Sequence, residues 1–137
     1  MEITVDPLSE NTISQFLDNL SSSNSTPGGG AVAALTLASA ASMIEMVANI
    51  STETASQCHG KLHSAIINRA KEIRSKATDL SDRDCLAYES LISAFKLPKS
   101  DADNRRLRRA AINRAAQEAA RVPIQVAELA TEVIGLC

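Results

Sequence analysis

A proline followed by three consecutive glycines constrains this chain more than any other sequence feature. Residues 26–34 read Thr-Pro-Gly-Gly-Gly-Ala-Val-Ala-Ala, and the whole chain has only five glycines. Proline stops a preceding helix, and glycines let another group approach the backbone closely. The alanine-rich, nearly uncharged run to residue 50 then predicts a helix whose first amides face the turn. The three glycines allow either close packing of helices or the approach of an anionic or polar ligand. On either interpretation, none of the three positions should tolerate a side chain.

The composition favours one all-helical domain over residues 1–137. Aromatic residues make up only 2% of the chain, and glycines outside the turn are few. Alanine, leucine, glutamate and arginine are strong helix formers. Small core side chains bury little area each, so we expect association with a second copy to supply more buried surface.

Charge and cysteine content exclude several classes of protein. A net charge of −2 argues against a general nucleic-acid binder. Three widely spaced cysteines without a CxxC pair indicate no disulfide framework and no zinc site, and they suit a reducing cytoplasm. His59 and His63 have no evident third ligand, so we expect no metal. The N-terminus lacks signal-peptide features, and polar residues interrupt the apolar run at 31–50, which predicts a buried helix and no membrane span.

Hydrophobic periodicity predicts four helices, at about residues 11–20, 30–51, 61–95 and 102–136. The apolar stripe of the third helix comprises Leu62, Ile66, Ala70, Ile73, Ala77, Leu80, Ala87, Leu91 and Phe95, and that of the fourth comprises Leu107, Ala111, Val122, Val126, Leu129 and Val133. The sequence Lys96-Leu97-Pro98-Lys99 breaks the third helix, and Ser100 or Asp101 can cap the fourth. Pro123 falls inside the fourth helix and should kink it, because proline cannot donate to the carbonyl one turn earlier.

Asp84 interrupts the apolar stripe of the third helix between Leu80 and Ala87. A carboxylate at a core-facing position is costly unless it is paired or functional. The residues leave two explanations open: an arginine partner on another helix, or a catalytic role.

Two further polar patterns are ambiguous. Ser42, Glu45 and Asn49 form a polar seam on the second helix, which faces either water or a ligand. Five arginines occur between residues 105 and 114. They form either a solvated basic face or a surface that attracts an anionic ligand.

Several short motifs occur in one order along the whole chain. They are Phe16-Leu17-Asp18, the glycine segment 26–35, Met46-Val47-Ala48-Asn49, residues 82–88 (Asp-Arg-Asp-Cys-Leu-Ala-Tyr), residues 94–99 (Ala-Phe-Lys-Leu-Pro-Lys) and Val122-Pro123. Together they resemble the cyclodeaminase/cyclohydrolase family of folate enzymes. This family comprises the C-terminal domain of formiminotransferase-cyclodeaminase and the free-standing methenyltetrahydrofolate cyclohydrolases.

The resemblance implies a dimeric bundle of long helices with a folate one-carbon derivative bound near the subunit interface. It implies methenyltetrahydrofolate cyclohydrolase or formiminotetrahydrofolate cyclodeaminase activity, without a metal or redox cofactor. Asp84 is the implied catalytic carboxylate, with Asp82 in support. The implied substrate-binding residues are Gly28, Gly29, Gly30, Asn49, Tyr88 and, for the glutamate tail of folate, Lys96 and Lys99.

Two departures from the family pattern bear on activity. The family usually has serine after the three glycines, where this chain has Ala31. The family pattern also continues for about half a domain beyond the position of Cys137. We therefore expect weak or absent cyclohydrolase activity from the 137-residue form. The alternative function is a non-catalytic helical module that dimerises or binds a ligand.

Overall fold

The fold is all-helical throughout the residues that the structure describes. A computed structural model describes the backbone of residues 7–54 and 60–137, and the side chains of residues 7–51 and 60–137. After a short 3₁₀ turn at Leu8–Glu10, the helices are α1 (Ile13–Ser21), α2 (Gly29–Thr54), α3 (Gly60–Phe95) and α4 (Ala102–Leu136). The all-helical prediction is confirmed, and the predicted helix ends differ from the observed ones by three residues at most.

Local capping explains where two of the helices begin. Thr12 and Gln15 form a reciprocal capping box at the start of α1. At α4, the carboxylate of Asp101 accepts a 2.8 Å hydrogen bond from the Asn104 amide, and this bond lowers the pKa of Asp101. The helix then continues through Pro123 to Leu136 without a break. Sequence reasoning identified the start of α4 correctly because its cap is local.

Three long helices enclose the main core. The main core cluster takes four buried side chains from each: Ala34, Leu37, Ala38 and Ala41 of α2; Ile73, Ala77, Leu80 and Ala87 of α3; Val122, Val126, Leu129 and Val133 of α4. Eight of these are alanine or valine. Such side chains allow helices to approach closely, so the middle of the bundle is tightly packed.

The predicted apolar stripes extend further than the core does. Leu62 and Phe95, near the two ends of α3, are exposed, as is Leu107 near the start of α4. Helix α1 has no buried residue, and only its Phe16 packs against a small second cluster formed by Leu8, Ala31 and Cys85. Hydrophobic periodicity located the apolar stripes, but the length of the neighbouring helices limits how much of each stripe is buried.

Helix α2 has two contrasting faces. Its alanine-rich face packs against α3 and α4, while Met43, Met46, Val47 and Ile50 are exposed on another side. By length and composition alone, Gly29–Ser51 is apolar enough to cross a membrane, and 33% of its most apolar window is buried within the chain. Of the described residues, only this segment meets that criterion. The expectation of no membrane span stays a prediction.

Candidate functional site

The glycine turn leads directly into α2. The Thr26–Pro27 peptide bond is cis, and Pro27 is buried. Helix α2 begins at Gly29, and the Gly28 carbonyl accepts the first helical hydrogen bond, from Val32, at 3.1 Å. None of the glycines in the described chain has a positive φ. Unusual backbone dihedrals therefore do not explain the three glycines, which leaves close approach by another group as the explanation.

The group that approaches the turn is the carboxylate of Asp84. Of the three glycines, only Gly30 lies so close to it that a side chain would clash. A Cβ atom at Gly30 would collide with Cγ and both carboxylate oxygens of Asp84, whereas at Gly28 or Gly29 it would have no atom within 4 Å. The expectation that all three glycines exclude a side chain is wrong for Gly28 and Gly29 within one chain. Those two positions face open space, so only Gly30 is constrained by packing.

Asp84 closes the N-terminus of α2 from a different helix. Its Oδ2 accepts a 3.0 Å hydrogen bond from the Ala31 amide, in the first turn of α2. The sequence left open an arginine as the partner of this carboxylate. The structure pairs it instead with a backbone amide at the positive end of a helix. The side chain is half-buried, and burial raises the pKa of Asp84, an effect that the Ala31 hydrogen bond partly opposes.

Two further carboxylates of α3 hold the N-terminal segment. Asp82 accepts a 2.7 Å hydrogen bond from the amide of Leu8, and Glu89 accepts a 2.9 Å hydrogen bond from the hydroxyl of Thr26. One oxygen of Asp82 is thus engaged in anchoring the 3₁₀ turn. Sequence reasoning missed Glu89; its seven-residue spacing from Asp82 places both on one face of α3 and could have suggested the link.

Cys85 lies between these acidic residues in sequence, and its thiol is unreactive. Its side chain is buried against Leu8 and Ala31. Burial, reinforced by the charges of Asp84 and Asp82, raises the pKa of the Cys85 thiol to about 11. The thiol therefore stays protonated near neutral pH and does not supply a nucleophile.

The structure brings some of the predicted site residues together and separates others. Tyr88 follows Asp84 by one turn of α3 and is 42% exposed. Asn49 is exposed and lies about 28 Å along α2 from Gly30, at 1.5 Å per residue. Lys96 and Lys99 are exposed in the connection after α3, whose end is about 17 Å from Asp84 along the helix axis.

The polar seam of α2 does not act as one unit. Glu45 turns towards α3 and forms ion pairs with Arg74 at 3.3 Å and Lys71 at 3.7 Å. Ser42 donates to the Ala38 carbonyl of its own helix. Two members of the seam are therefore engaged within the fold, and only Asn49 is exposed.

No group of metal-ligating side chains occurs within residues 7–51 and 60–137. His59, one half of the histidine pair noted in the sequence, lies outside the described residues. The expectation that the protein uses no metal and no redox cofactor stays a prediction.

The arrangement around Asp84 suits proton transfer or stabilisation of a cation. A half-buried carboxylate has a stronger field than a solvated one, and its raised pKa brings it closer to the range useful for a general acid or base. The Gly30 backbone and the Ala31 amide fix its position from one side. Asp84 is thus held by backbone groups rather than neutralised by a cationic side chain.

Comparison with known proteins identifies relatives of the whole described chain. The profile of the family described as Formiminotransferase-cyclodeaminase matches residues 12–137. A methenyltetrahydrofolate cyclohydrolase from Methylorubrum extorquens is 31% identical over 126 residues, which cover 91% of this chain and 61% of that protein. Formimidoyltransferase-cyclodeaminases from Sus scrofa and Mus musculus are 31% and 26% identical, over 82% and 92% of this chain.

The match covers unequal parts of the relatives. The chain spans about three fifths of the length of the cyclohydrolase, and 21% and 24% of the two cyclodeaminase proteins. The match covers nearly all of this chain, including the glycine turn, Asp84 and all of α4. The chain therefore belongs to the formiminotransferase-cyclodeaminase family.

Proposed function

We propose that this chain functions in folate one-carbon metabolism as a methenyltetrahydrofolate cyclohydrolase. The observation that carries the proposal is the placement of Asp84, a half-buried carboxylate held against the start of α2 through the gap at Gly30. The family match and the cyclohydrolase relative supply the substrate class. Because the chain spans 61% of that relative, the activity of the whole protein is part of the proposal.

The proposed reaction adds water to the methenyl carbon of a cationic amidinium. Water attacks that carbon and loses one proton, which gives a neutral tetrahedral carbinol. The bond from this carbon to N5 then breaks, the hydroxyl proton passes to N5, and the carbonyl of the 10-formyl product forms. Asp84 stabilises the cation as it approaches and accepts the proton as the carbon–oxygen bond forms. Asp82 supports its neighbour electrostatically while its own oxygen holds Leu8. Water addition of this kind requires only proton transfer and charge stabilisation, so the proposal includes no metal or redox cofactor.

Substrate binding is proposed to involve a second copy of the chain. Asn49, Lys96 and Lys99 lie too far from Asp84 to surround one small region within a single copy. The exposed apolar residues of α2, Met43, Met46, Val47 and Ile50, are spaced for a helix–helix contact. A homodimer that uses this face buries them and brings further polar groups to the ligand. Sedimentation at micromolar concentration is expected to give a dimer, and a monomer alone would remove this part of the proposal.

Hydrolysis of methenyltetrahydrofolate tests the proposed function. Loss of its absorbance is followed with purified protein in molar excess and compared with the spontaneous rate in buffer. The wild-type chain should exceed the spontaneous rate, if only weakly, and Asp84→Asn should lose about 100-fold or more of that excess. Asp79→Asn makes the same charge change at an exposed position of α3 and should keep the wild-type rate.

Two other outcomes would favour a different function, and a third would remove Asp84 from the mechanism. Release of ammonia from formiminotetrahydrofolate, without hydrolysis of the methenyl compound, would favour the cyclodeaminase activity that the mammalian relatives' names indicate. Tight binding of a folate analogue without either reaction would favour a non-catalytic module. Equal rates for Asp84→Asn and wild type would remove Asp84 from the chemistry.

A further inference from the structure

The arginines of this chain fall into two groups that differ in whether they have an acidic partner. Ion pairs to glutamates engage Arg69, Arg74, Arg83 and Arg121. The arginines of the first turns of α4 form no ion pair with any carboxylate in the described part of the chain; they are Arg105, Arg106, Arg108, Arg109 and Arg114. The chain has 16 acidic residues and 14 lysines and arginines, so the lack of partners is local.

Three of the unpaired arginines share one groove with a lysine. Arg105, Arg108 and Arg109 line a concave region of about 310 Å³ with Lys99, and Ile112 and Asn113 complete its wall. No carboxylate is among these lining residues. Two acidic residues precede the arginines in sequence: Asp101 caps α4 by accepting from the amide of Asn104, and the exposed Asp103 forms no ion pair with them in the described part of the chain. The side chains that line the groove therefore carry four positive charges and no negative one.

Folding does not account for this concentration of charge. Cations in the first turns of a helix oppose its dipole, and four like charges around one groove repel each other. The hydrogen bonds that these arginines make are few: Arg108 donates to the Phe95 carbonyl at 3.2 Å, and Arg105 lies 3.5 Å from the carbonyls of Lys99 and Ser100. Each of these leaves most guanidinium donors unused.

One residue that lines the groove, Arg108, has an unsatisfied hydrogen-bond donor. The residue is partly buried between its neighbours, and its Nε atom is buried without a hydrogen-bond partner. A buried, unsatisfied donor on a charged group is unfavourable until an acceptor reaches it. An oxyanion entering the groove supplies such an acceptor, and guanidinium groups bind phosphate and carboxylate oxygens in pairs.

We propose that this groove binds a small molecule that carries two or more phosphate or carboxylate groups. Four cations favour a multivalent anion over a single charge, and the volume is at the lower end for small-molecule sites, which begin at about 300 Å³. The site lies beyond the end of α3, about 17 Å along that helix from Asp84. The groove shares Lys99 with the residues implied for the glutamate tail of folate, but its three arginines have no part in the proposed folate reaction, and the proposal does not rest on that reaction.

Calorimetric titration with two probes tests the site and distinguishes its ligand chemistry. Tripolyphosphate and propane-1,2,3-tricarboxylate are titrated into the wild-type chain at low ionic strength, where charge–charge attraction is least screened. At least one of them should bind with one-to-one stoichiometry. Tighter binding of tripolyphosphate indicates a phosphorylated ligand, and tighter binding of the tricarboxylate indicates a carboxylate ligand; either result supports the site.

Three charge-removing variants locate the binding. Arg108→Gln and the exposed Arg105→Gln should each weaken the better probe about tenfold. Arg121→Gln removes the same charge from the same helix, but at a residue paired with Glu118, and should leave affinity within about twofold of wild type. Because Arg105 is exposed, its variant keeps the test valid if Arg108→Gln does not fold. Failure of both probes to bind, or equal weakening by Arg121→Gln, overturns the proposal.

Discussion

The N-termini of α2 and α4 are completed in different ways. At α2 the closing carboxylate, Asp84, comes from another helix, 53 residues along the chain from the Ala31 amide that it binds. At α4 the cap is Asp101, the residue directly before the helix. The first arrangement needs a glycine at the contact, since a side chain on Gly30 would occupy the space of the carboxylate. The second needs only the local sequence.

The two carboxylates differ in what is proposed for them. At α2 the half-buried Asp84 makes a structural hydrogen bond, has a raised pKa and is the residue proposed for catalysis. At α4 the cap satisfies the helix, and the arginines that follow are a separate set of charges without acidic partners. Substitutions at the start of α2 should therefore lower stability more than substitutions at the start of α4.

Substitution of Gly30 should have the largest effect on stability. A methyl group in Gly30→Ala displaces the carboxylate of Asp84 and breaks its hydrogen bond with the Ala31 amide, so the variant should lose about 1–3 kcal/mol of unfolding free energy. Gly29→Ala is the matched control, because its methyl group meets open space; it should be neutral or gain up to about 1 kcal/mol from helix propensity. Urea unfolding of the two variants measures the contrast, and equal stabilities would refute the close approach.

A double mutant sharpens the same comparison. In an Asp84→Ala background the carboxylate is gone, so adding Gly30→Ala should cost clearly less than it does in the wild-type chain. Additive losses would show that the cost at Gly30 does not come from Asp84.

Removal of the local cap at α4 should have a smaller effect that stays near its own helix. Asp101→Ala loses the hydrogen bond from the Asn104 amide, and the first turn of α4 should fray. The melting temperature should fall by less than it does for Gly30→Ala. Hydrogen exchange should quicken at residues 102–105 and not at the start of α2; faster exchange at both termini would mean that the two are coupled.

The smallest predicted effect is a pH dependence of stability that belongs to Asp84. Its pKa is raised above the ordinary value of 3.8 in the folded chain, so the folded state binds this proton more readily than the unfolded state does. Relative to Asp84→Asn, wild-type stability should fall as pH rises from 3.8 through the raised pKa, and should then stay constant. Urea midpoints of both proteins across that window measure the difference, and a difference that rises with pH would contradict the sign.

Much of the fold was predictable because its determinants are local. Pro98 and the two candidate caps, Ser100 and Asp101, located the start of α4, and the apolar stripes of α3 and α4 correctly located their buried centres, such as Ile73 and Val122. The stripe argument also identified Asp84 as an anomaly worth explaining. Residues such as Leu107 were placed on a stripe but are exposed, because periodicity does not reveal how far a neighbouring helix extends.

The site was less predictable because its contacts are non-local and use the backbone. Asp84 binds the amide of Ala31 and Asp82 binds the amide of Leu8, and a sequence does not show which backbone amide a carboxylate will reach. The three glycines look equivalent in sequence, yet only Gly30 faces a neighbouring side chain. Asn49 shares a motif with the family, but the length of α2 places it far from Asp84 within one chain.

The most direct test of the account is whether Asp84 recognises the positive charge of the one-carbon bridge. Binding of cationic methenyltetrahydrofolate and of uncharged-bridge tetrahydrofolate is measured by fluorescence, within times short relative to spontaneous hydrolysis. The account predicts that the wild-type chain and Asp79→Asn prefer the cationic ligand by at least about tenfold, and that Asp84→Asn loses this preference while it still folds. An Asp84→Asn variant that keeps the full preference, or a wild-type chain with none, would contradict the account.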